Sequence, residues 1–229
     1  MEVTGDSAGP RVLAVLDDTA GSEALIEWSS ALAHALQRPL ALVYVESAPA
    51  LAAAVLPFTQ VLAHAGAQWA PFGAEEVERG YRVHAARLRA LAGRITPRLA
   101  VRWSLRSVRG VMPQAAYQLI EETDLLFVGS AGPALPQPGL GAARRAPRAP
   151  VVGVLDDGSP AGERCLRVGR QLAHALNGRL LHVPVAPQLL PEEARRQLDA
   201  VRADLLVLPA AWARAQRLAN ARRPVLLVT

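Results

Sequence analysis

The 229-residue chain is 51% hydrophobic and 20% charged with a formal net charge of +5, a composition that excludes a disordered or fibrous protein. All 25 basic residues are arginine, so the chain cannot supply the phosphate-binding lysine of a P-loop, the strand lysine of a protein kinase or the Schiff-base lysine of a pyridoxal enzyme. Cys165 is the only cysteine, which excludes an internal disulfide and any multi-cysteine zinc or iron-sulfur site and points to a reducing compartment.

Met1 to Pro10 carries Glu2 and Asp6 and lacks a basic segment followed by an apolar one, so no signal peptide is expected and the cytoplasm is the expected location. Aromatic residues are only 4%, which makes the expected core aliphatic and alanine-rich. The length is about 1.5 times that of a typical domain, so one large unit or two small ones both fit.

An internal repeat organises the chain. Val12-Leu13-Ala14-Val15-Leu16-Asp17-Asp18 matches Val151-Val152-Gly153-Val154-Leu155-Asp156-Asp157. A helical pattern follows each, over 22–36 and 162–176, and both end in Leu-Ala-His-Ala-Leu. The stripe Leu25, Trp28, Leu32, Leu36 in the first copy corresponds to Cys165, Val168, Leu172, Leu176 in the second, the spacing of one buried helix face. Cys165 therefore reads as a core residue rather than a nucleophile.

Short apolar runs at 40–45 and 180–185 read as buried strands. Residues 47–74 contain no Asp, Glu or Arg, but Pro49, Pro57 and Pro71 interrupt them and Gln60, His64 and Gln68 recur, which predicts a buried or interface helix and no membrane span. The first copy alone carries a helix at about 74–92, with Val77, Tyr81, His84, Leu88 and Leu91 on one face, and a strand at 99–105. Helical segments at 113–122 and 191–202 precede Asp124-Leu125-Leu126-Phe127-Val128 and its echo Asp204-Leu205-Leu206-Val207-Leu208. Pro224-Val225-Leu226-Leu227-Val228 reads as a last strand, with no counterpart in the first copy.

Strands alternating with helices predict an α/β protein of two Rossmann-like modules, each an open, mainly parallel sheet flanked by helices, the second truncated. The predicted division is module one at 1–132, a proline- and arginine-rich linker at 133–150, and module two at 151–229.

In such sheets ligands sit beyond the carboxyl ends of the strands. For module one these ends are Asp17-Asp18, Val45-Glu46 and Gly129-Ser130-Ala131-Gly132; for module two they are Asp156-Asp157, Val185-Ala186 and Pro209-Ala210-Ala211-Trp212. Gly129 and Gly132 would let backbone amides approach a phosphate, because glycine tolerates unusual dihedrals and carries no side chain; a plain tight turn is the simpler alternative.

A strand ending in Asp, a helix, a strand ending in Val and a later strand running Asp-Leu-Leu-Phe-Val-Gly-Ser-Ala-Gly together resemble the universal stress protein family, and their doubling resembles its two-module members. The similarity covers about 11–46, 97–132, 150–186 and 203–229. The resemblance implies an adenine nucleotide alpha hydrolase-like fold and a binding or regulatory role in stress response rather than catalysis.

Nucleotide-binding members carry G-x2-G-x9-G-[ST] after the fourth strand, which implies ATP or a related adenine nucleotide in module one only, at Asp17, Val45, Gly129, Ser130, Gly132 and Gly141. The third glycine departs from the pattern: Gly141 comes one position early and Ala142 replaces the hydroxyl residue. Arg144, Arg145 and Arg148 read as linker charges or substitute phosphate ligands. In module two, Pro209 and Trp212 stand where glycines would be, so no nucleotide is expected there and the module reads as an internal partner in a pseudo-dimer that covers sheet edges; a homodimer is also open.

Two other functions compete with this one. An ATP-hydrolysing switch would need a metal site and a water-orienting group, which the missing hydroxyl disfavours. A receiver-like signalling protein would explain Asp17-Asp18 and Asp156-Asp157, yet it needs a lysine the chain lacks. Asp18 and Asp157 suit turn and helix-start roles better. The five histidines show no metal-ligand spacing, and the arginines (Arg79, Arg82, Arg87 and Arg89; Arg195 and Arg196) are spread over predicted helices, where a solvated face is the simpler reading than specific nucleic-acid recognition.

Overall fold

The computed structural model describes residues 11–17, 21–56, 60–61, 70–71, 73–129, 149–185, 191–215 and 223–229. The first half runs β1 (Val12–Leu16), α1 (Ser22–Ala35), β2 (Leu40–Ser47), α2 (Ala48–Ala54), the two-residue strands β3 (Gln60–Val61) and β4 (Ala70–Pro71), α3 (Ala74–Ile95), a 3-10 turn (Thr96–Leu99), β5 (Trp103–Gly110), α4 (Met112–Leu119) and β6 (Leu125–Val128). The second runs β7 (Val151–Asp156), α5 (Pro160–Ala175), β8 (Arg179–Pro184), α6 (Pro191–Ala200), β9 (Leu205–Pro209), α7 (Ala210–Ala215) and β10 (Val225–Val228). Apart from the β3–β4 pair, these strands form one eight-stranded sheet in the order β5-β2-β1-β6-β10-β9-β7-β8.

All neighbours in this sheet are parallel except β6 and β10. The sequence leads one to expect two separate sheets; β10 joins them because it bonds on both sides, parallel to β9 and antiparallel to β6, with Leu226 opposite both Val207 and Phe127. The missing last strand of the first half is thus supplied by the second. All four residues of β10 are buried, and each such aliphatic side chain contributes about 2 kcal/mol by leaving water. Strand order around the equivalent strands is the same in each half, β2-β1-β6 and β8-β7-β9.

Helices α1, α3 and α5 cover one face of the sheet, and α1 packs directly on α5. Helices α4 and α7 cover the other. The predicted stripes hold: Leu25, Leu32, Cys165 and Leu172 are completely buried, and Trp28, Leu36, Val168 and Leu176 pack against the same core. Both helices end alike. The Arg38 N–H reaches the Ala33 carbonyl at 2.9 Å and the Gly178 N–H reaches that of Ala173 at 2.7 Å, while Gln37 and Asn177 adopt left-handed φ of 53° and 48°. His34 and His174, one turn earlier, are both exposed. Helix α5 lies so close to β7 that a Cβ on Gly169 would come within 2.3 Å of Val154 Cγ2.

Some boundaries differ from the pattern-based expectation. The strand expected at 99–105 begins only at Trp103, because the 3-10 turn closes through Ala100 at φ 52°. In the stretch expected to be a buried helix, α2 spans only seven residues and buries only Ala54, and Val55 and Leu56 beyond it are 70% and 61% exposed. Among the described residues no helix is long and apolar enough to cross a membrane. Nearly all of the expected linker, 133–148, lies outside the described residues.

Because β10 completes both halves, the chain is expected to unfold in one cooperative step. Far-UV circular dichroism and tryptophan fluorescence should give superimposable denaturation curves, and removal of residues 224–229 should abolish the transition. A Gly169→Ala variant should lose about 1–3 kcal/mol in the same assay through overpacking.

Candidate functional site

The four parallel strands of the first half end on one edge of the sheet, and strand order diverges at β1, with β2 on one side and β6 on the other. That divergence is where open α/β sheets leave a crevice. The register pairs Leu16 with Tyr44 and Val15 with Val128, which brings the next residues along each strand, Asp17, Val45 and Gly129, together. A Cβ built on Gly129 would lie 3.9 Å from Asp17 Oδ1, 3.9 Å from the Val15 carbonyl oxygen and 3.8 Å from Leu25 Cδ2. Such distances are ordinary contact, and Gly129 has no positive φ. Glycine provides bare main chain beside a carboxylate there, not a special turn.

Asp17 is half-buried, and its carbonyl accepts a hydrogen bond from Ser22 Oγ at 3.0 Å, tying the strand end to the first turn of α1. Gly21, the N-cap of that helix, offers no side-chain acceptor of its own. Val45 is buried on the α4 face. Beside it Glu46 accepts from Arg109 Nε at 3.3 Å, and Arg109 Nη2 donates to Glu78 at 3.0 Å, linking β2, β5 and α3. These bonds to Glu46 and then Glu78 hold the guanidinium pKa above its usual value. Three of the predicted site residues therefore meet; Ser130, Gly132 and Gly141 lie outside the described residues, as do Asp18 and the arginines at 144, 145 and 148.

At the corresponding edge of the second half the two acids are engaged by neighbouring residues. Asp156 accepts from the Gly158 N–H at 3.0 Å and sits 2.9 Å from His182 Nε2; the backbone bond first and His182 second hold its carboxyl below the usual range. Asp157 accepts from the Ser159 N–H at 3.0 Å and its hydroxyl at 2.5 Å, and Ser159 Oγ accepts from the Gly162 N–H at 3.1 Å. This is the turn and helix-start role expected for Asp157. A Cβ on Gly162 would strike both carboxylates at 2.7 Å. Strand β9 passes straight into α7, where Trp212 is buried. The His182–Asp156 pair has no signal in the sequence, since it depends on β7 and β8 lying side by side.

An open cavity of about 520 Å³ lies at the opposite edge, lined in part by His34, Arg38, Ala100 and Arg102. It faces the carbonyl end of α1, whose dipole repels anions, and Arg38 is engaged by Asp124 at 3.3 Å. Among the described residues no cluster of three or more His, Cys, Asp or Glu could hold a metal ion.

No protein-family model matches this sequence, and a search of curated proteins finds no relative. Among solved structures, a universal stress protein from Archaeoglobus fulgidus DSM 4304 aligns with 95% of this chain and 98% of its own, at 6% sequence identity and a TM-score of 0.45.

Burial pushes the Cys165 thiol up to about 12. The folded state thus holds the thiol proton more tightly than the unfolded state. The associated stability is complete below the ordinary thiol value of 9.0 and is lost as pH rises towards 12. Iodoacetamide at pH 8 should leave native protein unmodified and label it fully in denaturant. The Asp156 contribution runs the opposite way, fading as pH falls through the depressed carboxyl pKa. At this exposed site His182→Ala should cost under about 1 kcal/mol in a denaturant melt at neutral pH.

Proposed function

We propose that this chain is a universal-stress-type protein of two unequal modules, a non-catalytic regulatory component of a stress response that binds ATP or a related adenine nucleotide through its first half alone. The observation that carries this reading is the meeting of Asp17, Val45 and Gly129 where strand order diverges. Three chemical elements of an adenosine site coincide there: a carboxylate to accept from a ribose hydroxyl or adenine amino group, an apolar wall, and main chain without a side chain. A Cβ at Gly129 would stand 3.9 Å from the Asp17 carboxylate, so the bare main chain there leaves a ligand that much more room beside the acid. A bound nucleotide would contribute an anionic phosphate chain directed along the segment after β6, and its presence would bias how partners meet that edge.

The two-module reading is supported by the shared strand order, the matched terminations of α1 and α5, and the equivalent burial of their stripes. The second half serves as an internal partner: its Asp156 and Asp157 are occupied with their own turn, and Pro209 runs directly into a helix.

ATP with magnesium should raise the melting temperature of the wild-type protein. Gly129→Val and Asp17→Ala should each weaken nucleotide affinity by about tenfold or more, the loss of a charge-assisted contact or of access to main chain. Asp156→Ala should leave affinity unchanged. Phosphate release should stay at the no-enzyme background. The absence of any thermal shift with ATP would remove the nucleotide reading, and sustained phosphate release would replace it with a hydrolytic switch.

A further inference from the structure

We infer that the outer face of α3 docks the phosphate backbone of double-stranded DNA without sequence preference. Between Arg79 and Ile120 the sequence holds nine arginines and no Asp or Glu, and all nine arginines are exposed. Four of them on α3, Arg79, Arg82, Arg87 and Arg94, form the docking face; Arg109, at the far end, is engaged by Glu46 and Glu78.

The helix itself orients this charge. Val77, Tyr81, Leu88, Leu91 and Ala92 are buried against the core, which turns the arginines of α3 to the opposite, solvent side at helical spacing. The arginines of this face run from Arg79 to Arg94, so the basic stretch extends about 23 Å. A merely solvated helix face ordinarily intersperses acids, whose i,i+4 pairing with basic residues offsets like-charge repulsion. The acids of α3 are confined to its amino-terminal end, where Glu75 and Glu78 stand four residues before Arg79 and Arg82, and beyond Glu78 there are none.

The chemistry of the face favours duplex backbone over other anions. Between the arginines the exposed residues are mostly small, Gly80, Ala86, Ala90 and Gly93, with Val83 the one larger apolar side chain, which permits close approach along a rod but offers a bilayer a single bulky apolar group where several are required. The nearby aromatics Tyr81 and Trp103 are buried, so they are not available as an exposed platform for bases. Guanidinium groups bind phosphate in bidentate fashion, and a duplex presents one charge per about 1.7 Å of its length.

The test is fluorescence anisotropy of the full chain with short labelled DNA and RNA duplexes of several sequences, at salt between about 50 and 200 mM. The wild type should bind DNA duplexes of different sequence with similar affinity, and tighter binding to the RNA duplexes would overturn the inference in favour of RNA. A variant carrying Arg82→Gln, Arg87→Gln and Arg94→Gln should bind about tenfold or more weakly and flatten the slope of log affinity against log salt by about 2.7. The same charge removed from exposed positions on α5, as Arg164→Gln, Arg167→Gln and Arg170→Gln, should leave both quantities as in the wild type. Circular dichroism checks folding, and the single exposed reversal Arg87→Glu keeps the test decisive if the triple variant is unstable. Equal losses from both triple variants would overturn the inference in favour of net charge alone. Tighter binding to phosphatidylserine vesicles or to poly-glutamate than to either duplex would overturn it in favour of a membrane or an acidic protein, and failure of the wild type to bind any duplex at low salt would end it.

Discussion

Two incomplete sheets become one through β10, and the rest of the architecture depends on that strand's ability to bond on both sides. Its parallel bonds to β9 finish the second half, and its antiparallel bonds to β6 remove what would otherwise be an open edge on the first. A strand edge left bare in water exposes a row of unpaired amides and carbonyls, so the two halves satisfy each other's backbone as well as burying apolar surface. Pairing of α1 with α5 on one face follows from this junction, because the same strand that joins the sheets sets the spacing of the helices lying on them.

Asp17 and Asp156 show how one sequence pattern reaches two outcomes. Both end the first strand of their half and both precede a helix. Asp156 is held by the Gly158 amide and by His182, and the neighbouring Asp157 is bonded to Ser159. Around Asp17, by contrast, Ser22 holds the main-chain carbonyl, and the carboxylate lies beside a residue without a side chain. A tight Asp-Gly-Ser turn engages both acids at the second strand end, while Gly129 after β6 places bare main chain beside Asp17 at the first.

Much of this was legible from periodicity. The stripes from Leu25 and Cys165 marked the buried faces of two helices because helical spacing is a local property. The Asp17, Val45 and Gly129 grouping followed from strand order, which a parallel arrangement constrains. Three things were not legible. Nothing in Val225-Leu226-Leu227-Val228 states that it will accept a second, antiparallel neighbour, since a strand buried on both faces reads the same whichever partners it has. The pairing of His182 with Asp156 requires adjacent strands whose register cannot be read from spacing. The apolar stretch after Ser47 suggested burial, yet Val55 and Leu56 are exposed, because alanine-rich composition measures hydrophobicity and not the presence of a surface to cover it.

The antiparallel seam between β6 and β10 also fixes where each half faces. The carboxyl ends of the leading strands open towards one rim of the sheet and those of the trailing strands towards the other. A molecule lodged at the Gly129 rim therefore has no direct route to the Asp156 rim, and the intervening sheet acts as an insulating wall. Natural variation could retool either rim while its counterpart stays undisturbed.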